Sequence, residues 1–446
     1  MNQQQARTMV NCLAANGPAT NHLARLRTWA RRDWEGALRW LHTSGLALYF
    51  RHRLKELGAE ESLPSEVRVR LLRNHTAHCR RVAAMRNEFD QLNRCFAEAG
   101  IRFAALKGFS MIPDYCPDAT LRTQYDFDYL VAPESKAQAE EALRAASYVG
   151  SSGEEAGRLV FFRSNRPPRI PAHDDELYSP DLPLRVEVHT RLWEPGPEII
   201  RVPALDDALD RVRIREWQGL SFPALADEDA LAFQVLHALR HIFENWCRLS
   251  ILLEIATFLE RRSKDEGFWE RFRHRAGSSP GFPQAAAVVF SLSAGLFRAQ
   301  FAPSLREWIE LNLSASLALW VVTYGLNSAL ENFMGEKFSL FLQREFVADA
   351  STWRSVRKRK LFPLHIPNRA AQATAPGWGP GLSAARKQAM HVVRRLRFHF
   401  ISALRYAWEL PRWERLRRRP PTGAIARNGR RPRVSRHPFP AAPADH

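Results

Sequence analysis

The sequence predicts an α/β fold, a sheet core of mixed strand direction flanked by N- and C-terminal helical regions. Three observations carry this. Ile101–Leu106 is a short apolar run, Tyr125–Val131 and Leu184–His189 alternate as strands do, and residues 133–146 between them have helical spacing. Upstream of residue 100 the apolar residues recur every three or four positions, and they do so again from Asp227 onward.

Residues 1–82 read as an N-terminal helical region. Trp34, Ala37, Leu38, Trp40 and Leu41 share helical spacing, as do Leu46, Leu48, Phe50 and Leu54, and Pro64 is placed to open the next helix. Residues 83–223 read as the α/β core. It starts with the helical stripe Met85, Phe89, Leu92 and Phe96, spaced i, i+4, i+7, i+11, and Gly100 is placed to cap that helix. A strand follows, then a turn at Lys107-Gly108 with a short helical or loop insertion, then the strand Tyr125–Val131 with Phe127 and Tyr129 turned to the core. Pro133 opens a helix through Ala146, with Glu134 favoured in its first turn by the helix dipole. Residues 150–157 read as a loop, Arg158–Ser164 as a strand, and 165–183 as Pro-rich and irregular. After the strand at Leu184–His189, residues 195–223 are broken by prolines around a short strand near Val212–Ile214.

Residues 224–365 read as a C-terminal helical domain. Its expected helices run from a cap at Asp227 or Asp229 through His241, then Arg248–Arg261, Gln284–Ala299 and Leu305–Asn332. Residues 366–419 read as a turn-rich linker followed by a basic amphipathic helix, Ala384–Trp413. Residues 420–446 have almost nothing apolar to pack and read as a disordered basic tail.

Composition narrows the function classes. The apolar and charged fractions, 45% and 25%, are those of a globular chain. Cys12, Cys79, Cys95, Cys116 and Cys247 are odd in number with no CxxC spacing, so free thiols in a reducing compartment are expected. The first 17 residues lack the apolar core of a signal peptide, and Leu313–Leu330, the most apolar window, carries Ser314, Ser316, Thr323, Asn327 and Ser328. The expectation is a cytoplasmic chain without a transmembrane segment. The net charge of +18 is uneven: residues 351–446 hold 22 Lys or Arg against 3 acids, the first 350 hold 43 against 44. That basic region could meet an anionic partner weakly, RNA or DNA through phosphates or a membrane through the Leu396, Phe400, Leu404, Trp408 stripe. The favoured reading is a helix packed on the body with a solvated tail.

The chemistry sits on the strands. Asp126 and Asp128, two apart, face the same way, and two carboxylates so placed repel unless a cation lies between them. Oxygen-only ligands suit Mg2+ or Mn2+. Glu187 stands alone between Val186 and Val188, poorly solvated and in need of a partner. Three acids so gathered are expected to raise one another's pKa. His189 is read as structural and turned to the other strand face. His237 and His241 are read as core or interface histidines, since Ala238 stands where an HExxH zinc motif needs glutamate. There is no GxxxxGK[ST] loop, no GxGxxG after a strand and no GxSxG elbow.

The run Leu106-Lys107-Gly108, followed by Tyr115, Pro117, Arg122, Asp126-Phe127-Asp128-Tyr129-Leu130-Val131 and Val186-Glu187-Val188-His189, resembles a bacterial family of the nucleotidyltransferase-fold superfamily. The resemblance covers roughly residues 30–365 and is strongest over 101–192. In that superfamily the turn is usually Gly-Ser or Gly-Gly, where this chain has Lys107-Gly108-Phe109. The resemblance implies a nucleotidyltransferase-like core that moves a nucleoside monophosphate from an NTP to an unknown acceptor, whether small molecule, protein or RNA. It further implies Asp126, Asp128 and Glu187 as catalytic metal ligands for Mg2+ or Mn2+. Lys107, Gly108, Ser110 and Arg122 become the nucleotide-binding residues. The rival expectation is a non-catalytic binding or scaffold protein that kept the fold.

Because residues from Pro420 onward carry so little to bury, deleting 420–446 should leave the thermal melting curve of the purified protein unchanged.

Overall fold

The computed structural model describes residues 1–14, 16, 19–150, 158–166, 173–193, 200–362 and 382–418. Residues 151–157 of the loop expected at 150–157, most of the linker, and the tail beyond residue 418 lie outside these residues; Gly150 itself ends a strand.

The core is a seven-stranded mixed sheet in the order β3-β4-β5-β2-β1-β7-β6. The strands are β1 (Phe103–Ala105), β2 (Asp126–Val131), β3 (Tyr148–Gly150), β4 (Arg158–Arg163), β5 (Arg185–His189), β6 (Arg213–Trp217) and β7 (Leu220–Ala224). Only β2–β5 and β1–β7 pair in parallel. The short strand expected near Val212–Ile214 is one arm of the β6–β7 hairpin, whose turn places Gln218 and Gly219 at positive φ. β3 is only three residues long, and β7, although alternate residues are buried, is interrupted by Pro223, so neither reads as a strand in the sequence.

Five helices precede the sheet: α1 (Gln3–Leu13), α2 (Ala19–Leu26), α3 (Arg31–Ser44), α4 (Ala47–Glu56) and α5 (Ser65–Glu98). Pro64 stands just before α5 as its capping residue, and α5 runs unbroken for 34 residues across position 82. The stripe Met85, Phe89, Leu92 and Phe96 is buried against one sheet face. There the Phe89 ring meets Phe109, Phe127, Tyr129 and Phe222 at centroid distances of 4.9–6.1 Å. Gly100, at φ +67°, ends the helix, with the Ile101 N–H donating to the Phe96 carbonyl. The helix expected after Pro133 is α6 (Lys136–Ala145).

Beyond the sheet lie α7 (Asp227–Phe243), α8 (Leu249–Arg261), α9 (Glu266–Gly277), α10 (Phe282–Phe297), α11 (Pro303–Asn312), α12 (Ala315–Trp320), α13 (Leu326–Leu330), α14 (Ser339–Gln343), α15 (Ala350–Leu361) and α16 (Leu382–Arg417). Two expectations need correction. Neither Asp227 nor Asp229 caps α7, whose capping position is Ala226. Arginines compete for both carboxylates: Arg215 and Arg262 hold Asp227, while Arg211 and Arg275 hold Asp229 at 2.7–3.2 Å. The helix expected over Leu305–Asn332 is broken, because Ser314 starts a new helix by accepting the Leu317 N–H, and the chain turns by 101°. Apolar periodicity continues through the break, so it gave no sign of it.

The two helical flanks, far apart in sequence, pack together. The Trp40 indole donates to the Leu330 carbonyl at 2.8 Å, and Asn332 donates to Ser44 Oγ at 3.2 Å. The five cysteines are free thiols. Among the described residues no single helix is long and apolar enough to cross a membrane.

His42 and His78 both place their rings edge-on to Tyr178, and the Tyr178 hydroxyl is hydrogen-bonded to His42 Nδ1 at 2.7 Å. Burial pushes both imidazoles down to about 4. Neutral when folded, they must gain a proton to match the unfolded chain below its pKa near 6.5. Their stability contribution is therefore complete above pH 6.5 and is lost as pH falls toward 4, up to about 3 kcal/mol for each. Melting temperature should fall across that window, and a His42→Gln/His78→Gln variant should show a flatter profile by calorimetry.

Candidate active site

The parallel register of β2 and β5 sets Asp126 against Arg185, Asp128 against Glu187, and Leu130 against His189. Alternation then sorts the side chains. Phe127, Tyr129, Val186 and Val188 enter the core, while Asp126, Asp128, Arg185, Glu187 and His189 share the opposite face. His189 was expected on the other face. Residues two apart in a strand point the same way, so it stands beside Glu187.

Asp128 is 4% exposed and Glu187 3%, so neither has much water to solvate its charge. Asp128 Oδ1 accepts from Lys107 Nζ and from His189 Nε2, each at 3.2 Å. Its Oδ2 is buried with no hydrogen-bond partner among the described residues. Glu187 Oε2 accepts from Arg158 Nη1 at 2.8 Å, and Arg185 Nη2 lies 3.6 Å from its Oε1 and 3.5 Å from Asp126 Oδ2. Asp128, Glu187 and His189 each offer one ligand atom within 4.8 Å of the others, a set that could hold a metal ion. Asp126 flanks this triple from the more exposed end of β2.

The expectation that the acids would all raise one another holds for two of them. Burial, then the Asp128 charge, pushes Asp126 and Glu187 above the usual carboxylate range. Asp128 goes the other way. Burial opposes its ionisation, but the Lys107 ammonium and the His189 hydrogen bond outweigh burial and hold the carboxyl below that range.

The residues expected around the nucleotide are spread over two layers. Lys107 reaches Asp128 directly, with its Nζ 5.6 Å from the centroid of the Phe233 ring of α7. Gly108, at φ +68°, starts a short 3-10 turn, and a Cβ there would meet the Gln124 side chain at 2.4–2.7 Å. Only glycine therefore fits between the turn and Gln124. Ser110 is buried and donates to the Lys107 carbonyl at 3.2 Å, bracing the same turn. Arg122 lies behind the acids, with Nε 3.2 Å from Glu254 Oε1, the oxygen that also accepts from the Tyr49 hydroxyl at 3.0 Å. Burial opposes its charge, yet Glu254 and Tyr49 raise its pKa overall.

Three residues at the acids were missed: Arg158, Arg185 and His189. Arg158 reaches Glu187 from β4, a pairing that only the sheet topology reveals. Arg185 and His189 sit two residues either side of Glu187, so strand alternation alone could have found them. His237 and His241 contact each other edge to face at 4.5 Å, and both imidazoles are pushed down, by burial and then by the Lys107 charge, His241 to about 4. His237 also packs on Phe233 and His241 on Trp246, in keeping with the core or interface positions expected for them.

The opposite shifts of the acids separate their roles in stability. In EDTA at pH 7–8, Asp126→Asn and Glu187→Gln should each raise the melting temperature by a few degrees, because each removes a charge that burial disfavours. Asp128→Asn should lower it, because Lys107 and His189 lose an ionised partner.

A family model described as "Uncharacterised nucleotidyltransferase" matches residues 30–296, and no curated protein matches the chain.

Proposed function

Because the chain belongs to the uncharacterised nucleotidyltransferase family, we propose that it transfers a nucleoside monophosphate from an NTP to an acceptor hydroxyl in a reaction dependent on Mg2+ or Mn2+. One observation carries the reading: Asp128 Oδ2 is a buried carboxylate oxygen without a hydrogen-bond donor among the described residues, beside Glu187 and His189. A buried acceptor left unfilled is costly, and a divalent cation is the partner its surroundings suit.

Asp128, Glu187 and His189 would hold the ion, which when bound neutralises phosphate charge and acidifies the acceptor hydroxyl. With an imidazole beside two carboxylates, this mixed donor set suits Mn2+ better than Mg2+, which prefers oxygen ligands. Asp126 stands outside the triple with its pKa raised, so it would take the acceptor's proton. Lys107, Arg158 and Arg185 would turn from the acids to the triphosphate and to the charge growing on the leaving pyrophosphate, the arginines as planar forks and the lysine as a point charge. Gly108 and Ser110 would serve nucleotide binding by shaping the turn that carries Lys107. Arg122, paired with Glu254, would add positive potential from behind.

A second reading, a non-catalytic scaffold, is favoured by one observation: Lys107, Arg158 and Arg185 already neutralise the acids from within the chain.

Incubation with each α-labelled NTP, Mg2+ or Mn2+ and a cell extract separates the two. Label should move to an acceptor, and Asp128→Asn should reduce transfer about a hundred- to a thousandfold. Metal with NTP should stabilise the wild type by about 2.7 kcal/mol at a hundredfold excess over Kd. Asp126→Asn should keep that stabilisation while losing transfer, and Asp128→Asn should lose both. No transfer together with no metal-linked stabilisation would leave the scaffold reading.

A further inference from the structure

α16 is apolar on two opposite faces. One packs on the body: Ser402, Tyr406, Glu409 and Trp413 are buried, with Tyr406 and Trp413 stacked on Phe341 at 4.9 and 5.4 Å. Half a helical turn away, on the outward face, lie Val393, Leu396, Phe400, Leu404 and Trp408, exposed at 59, 59, 65, 55 and 76%. A helix that has already found its core contact needs no second apolar stripe. Five large apolar side chains in one row, rather than scattered singly, mark a surface that is covered in use.

The charge along this row is positive as far as Trp408, and the partly exposed Glu414 beyond it is paired with Arg417 and Arg418. No acid occurs between Asp349 and Glu409, and Glu409 is buried beneath the helix. Arg386, Arg397 and Arg405 border the stripe on α16 and are exposed, and exposed Arg354 and Lys358 lie on α15, which packs beside it. The first 350 residues are nearly neutral, so the basic charge is concentrated at this end of the molecule.

We propose that the outward face of α16 docks on an anionic lipid bilayer, lying flat in the interface with its apolar row among the acyl chains and its arginines at the headgroups. Charge complementarity selects this occupant. A second copy of the same face would set arginine against arginine, and a nucleic acid offers phosphates to the arginines but nothing to cover Leu396, Phe400 and Leu404. A bilayer surface supplies both an apolar layer and negative charge, with the Trp408 indole suited to the boundary between them. The surface lies on α16, away from the carboxylates of β2 and β5, so docking does not depend on the reading of that site.

The test is co-sedimentation of the full chain with sucrose-loaded vesicles at 0.1 M salt. The protein should pellet with vesicles of equal phosphatidylglycerol and phosphatidylcholine and bind pure phosphatidylcholine at least tenfold more weakly. Phe400→Ser/Leu404→Ser and Arg386→Glu/Arg397→Glu should each weaken binding to the anionic vesicles at least tenfold. Both pairs point outward, so their melting temperatures should match the wild type. The proposal is overturned if the wild type ignores anionic vesicles. Serine variants that bind undiminished would also overturn it, because the arginines alone would then be gathering polyanions. So would a wild-type dimer in light scattering that the serine variant splits, because the row would then be a protein interface.

Discussion

The structure turns on the pairing of β2 with β5, which puts the Asp128 and Glu187 carboxylates side by side on a face almost without water. Two such charges repel strongly in a medium of low polarity, and every neighbour on that face answers the repulsion. Lys107 and His189 take Asp128, and Arg158 takes Glu187. Arg185 bridges Glu187 and Asp126. Slipping the register by one residue would send the acids into the aromatic core and Phe127 and Val186 out to the cations. The pattern of both strands therefore fixes the register as firmly as the backbone hydrogen bonds do.

What holds that face in place lies on its other side. The aromatic cluster around Phe89 fastens α5 to β2 and β7, and α5 also carries Arg81. The buried Arg81 guanidinium donates to the carbonyls of Gln124, Ser179 and Leu182, at the entries to β2 and β5. Both strands that bear acids are thus anchored at their starts by one side chain. The Arg122–Glu254–Tyr49 cluster ties the same approach to α8 and α4, so the N- and C-terminal helices meet directly behind the carboxylates.

Much of this was legible in the residues, because alternation and helical spacing are local signals. The strands bearing Asp126, Asp128 and Glu187 came from period-two patterns, and the stripe through Phe89 from spacing near 3.6. Arg158 was not legible, because its partner is chosen by which strand lies next in the sheet. β3, β7 and the break at Ser314 escaped for a related reason: tertiary pairing or a single capping hydroxyl decides them, not a repeated pattern. His189 was a different failure. The rule that placed Asp126 and Asp128 together applies equally to Glu187 and His189, and applying it would have put the imidazole in the site. Asp227 and Asp229 show tertiary contact overriding a local preference: Arg215 of the hairpin and Arg262 just past α8 hold Asp227, and Arg211 just before the hairpin and Arg275 of α9 hold Asp229.

The two oxygens of Asp128 give the last step. Oδ1 is saturated by two cationic or hydrogen-bonding groups, and Oδ2 has none among the described residues, although both belong to one buried carboxylate. A fold selected only for stability has simple remedies: a third donor from the chain, or an apolar side chain in place of the acid, which is often neutral or stabilising at a buried ion pair. Neither is present. The cations here also have flexible stems, and Arg158 and Arg185 remain partly exposed at 32% and 44%. They can leave the acids for a phosphate chain without vacating a packed core. The acids are buried while two of their counter-charges are partly exposed, so the face is neutralised by groups that are not themselves packed into the core.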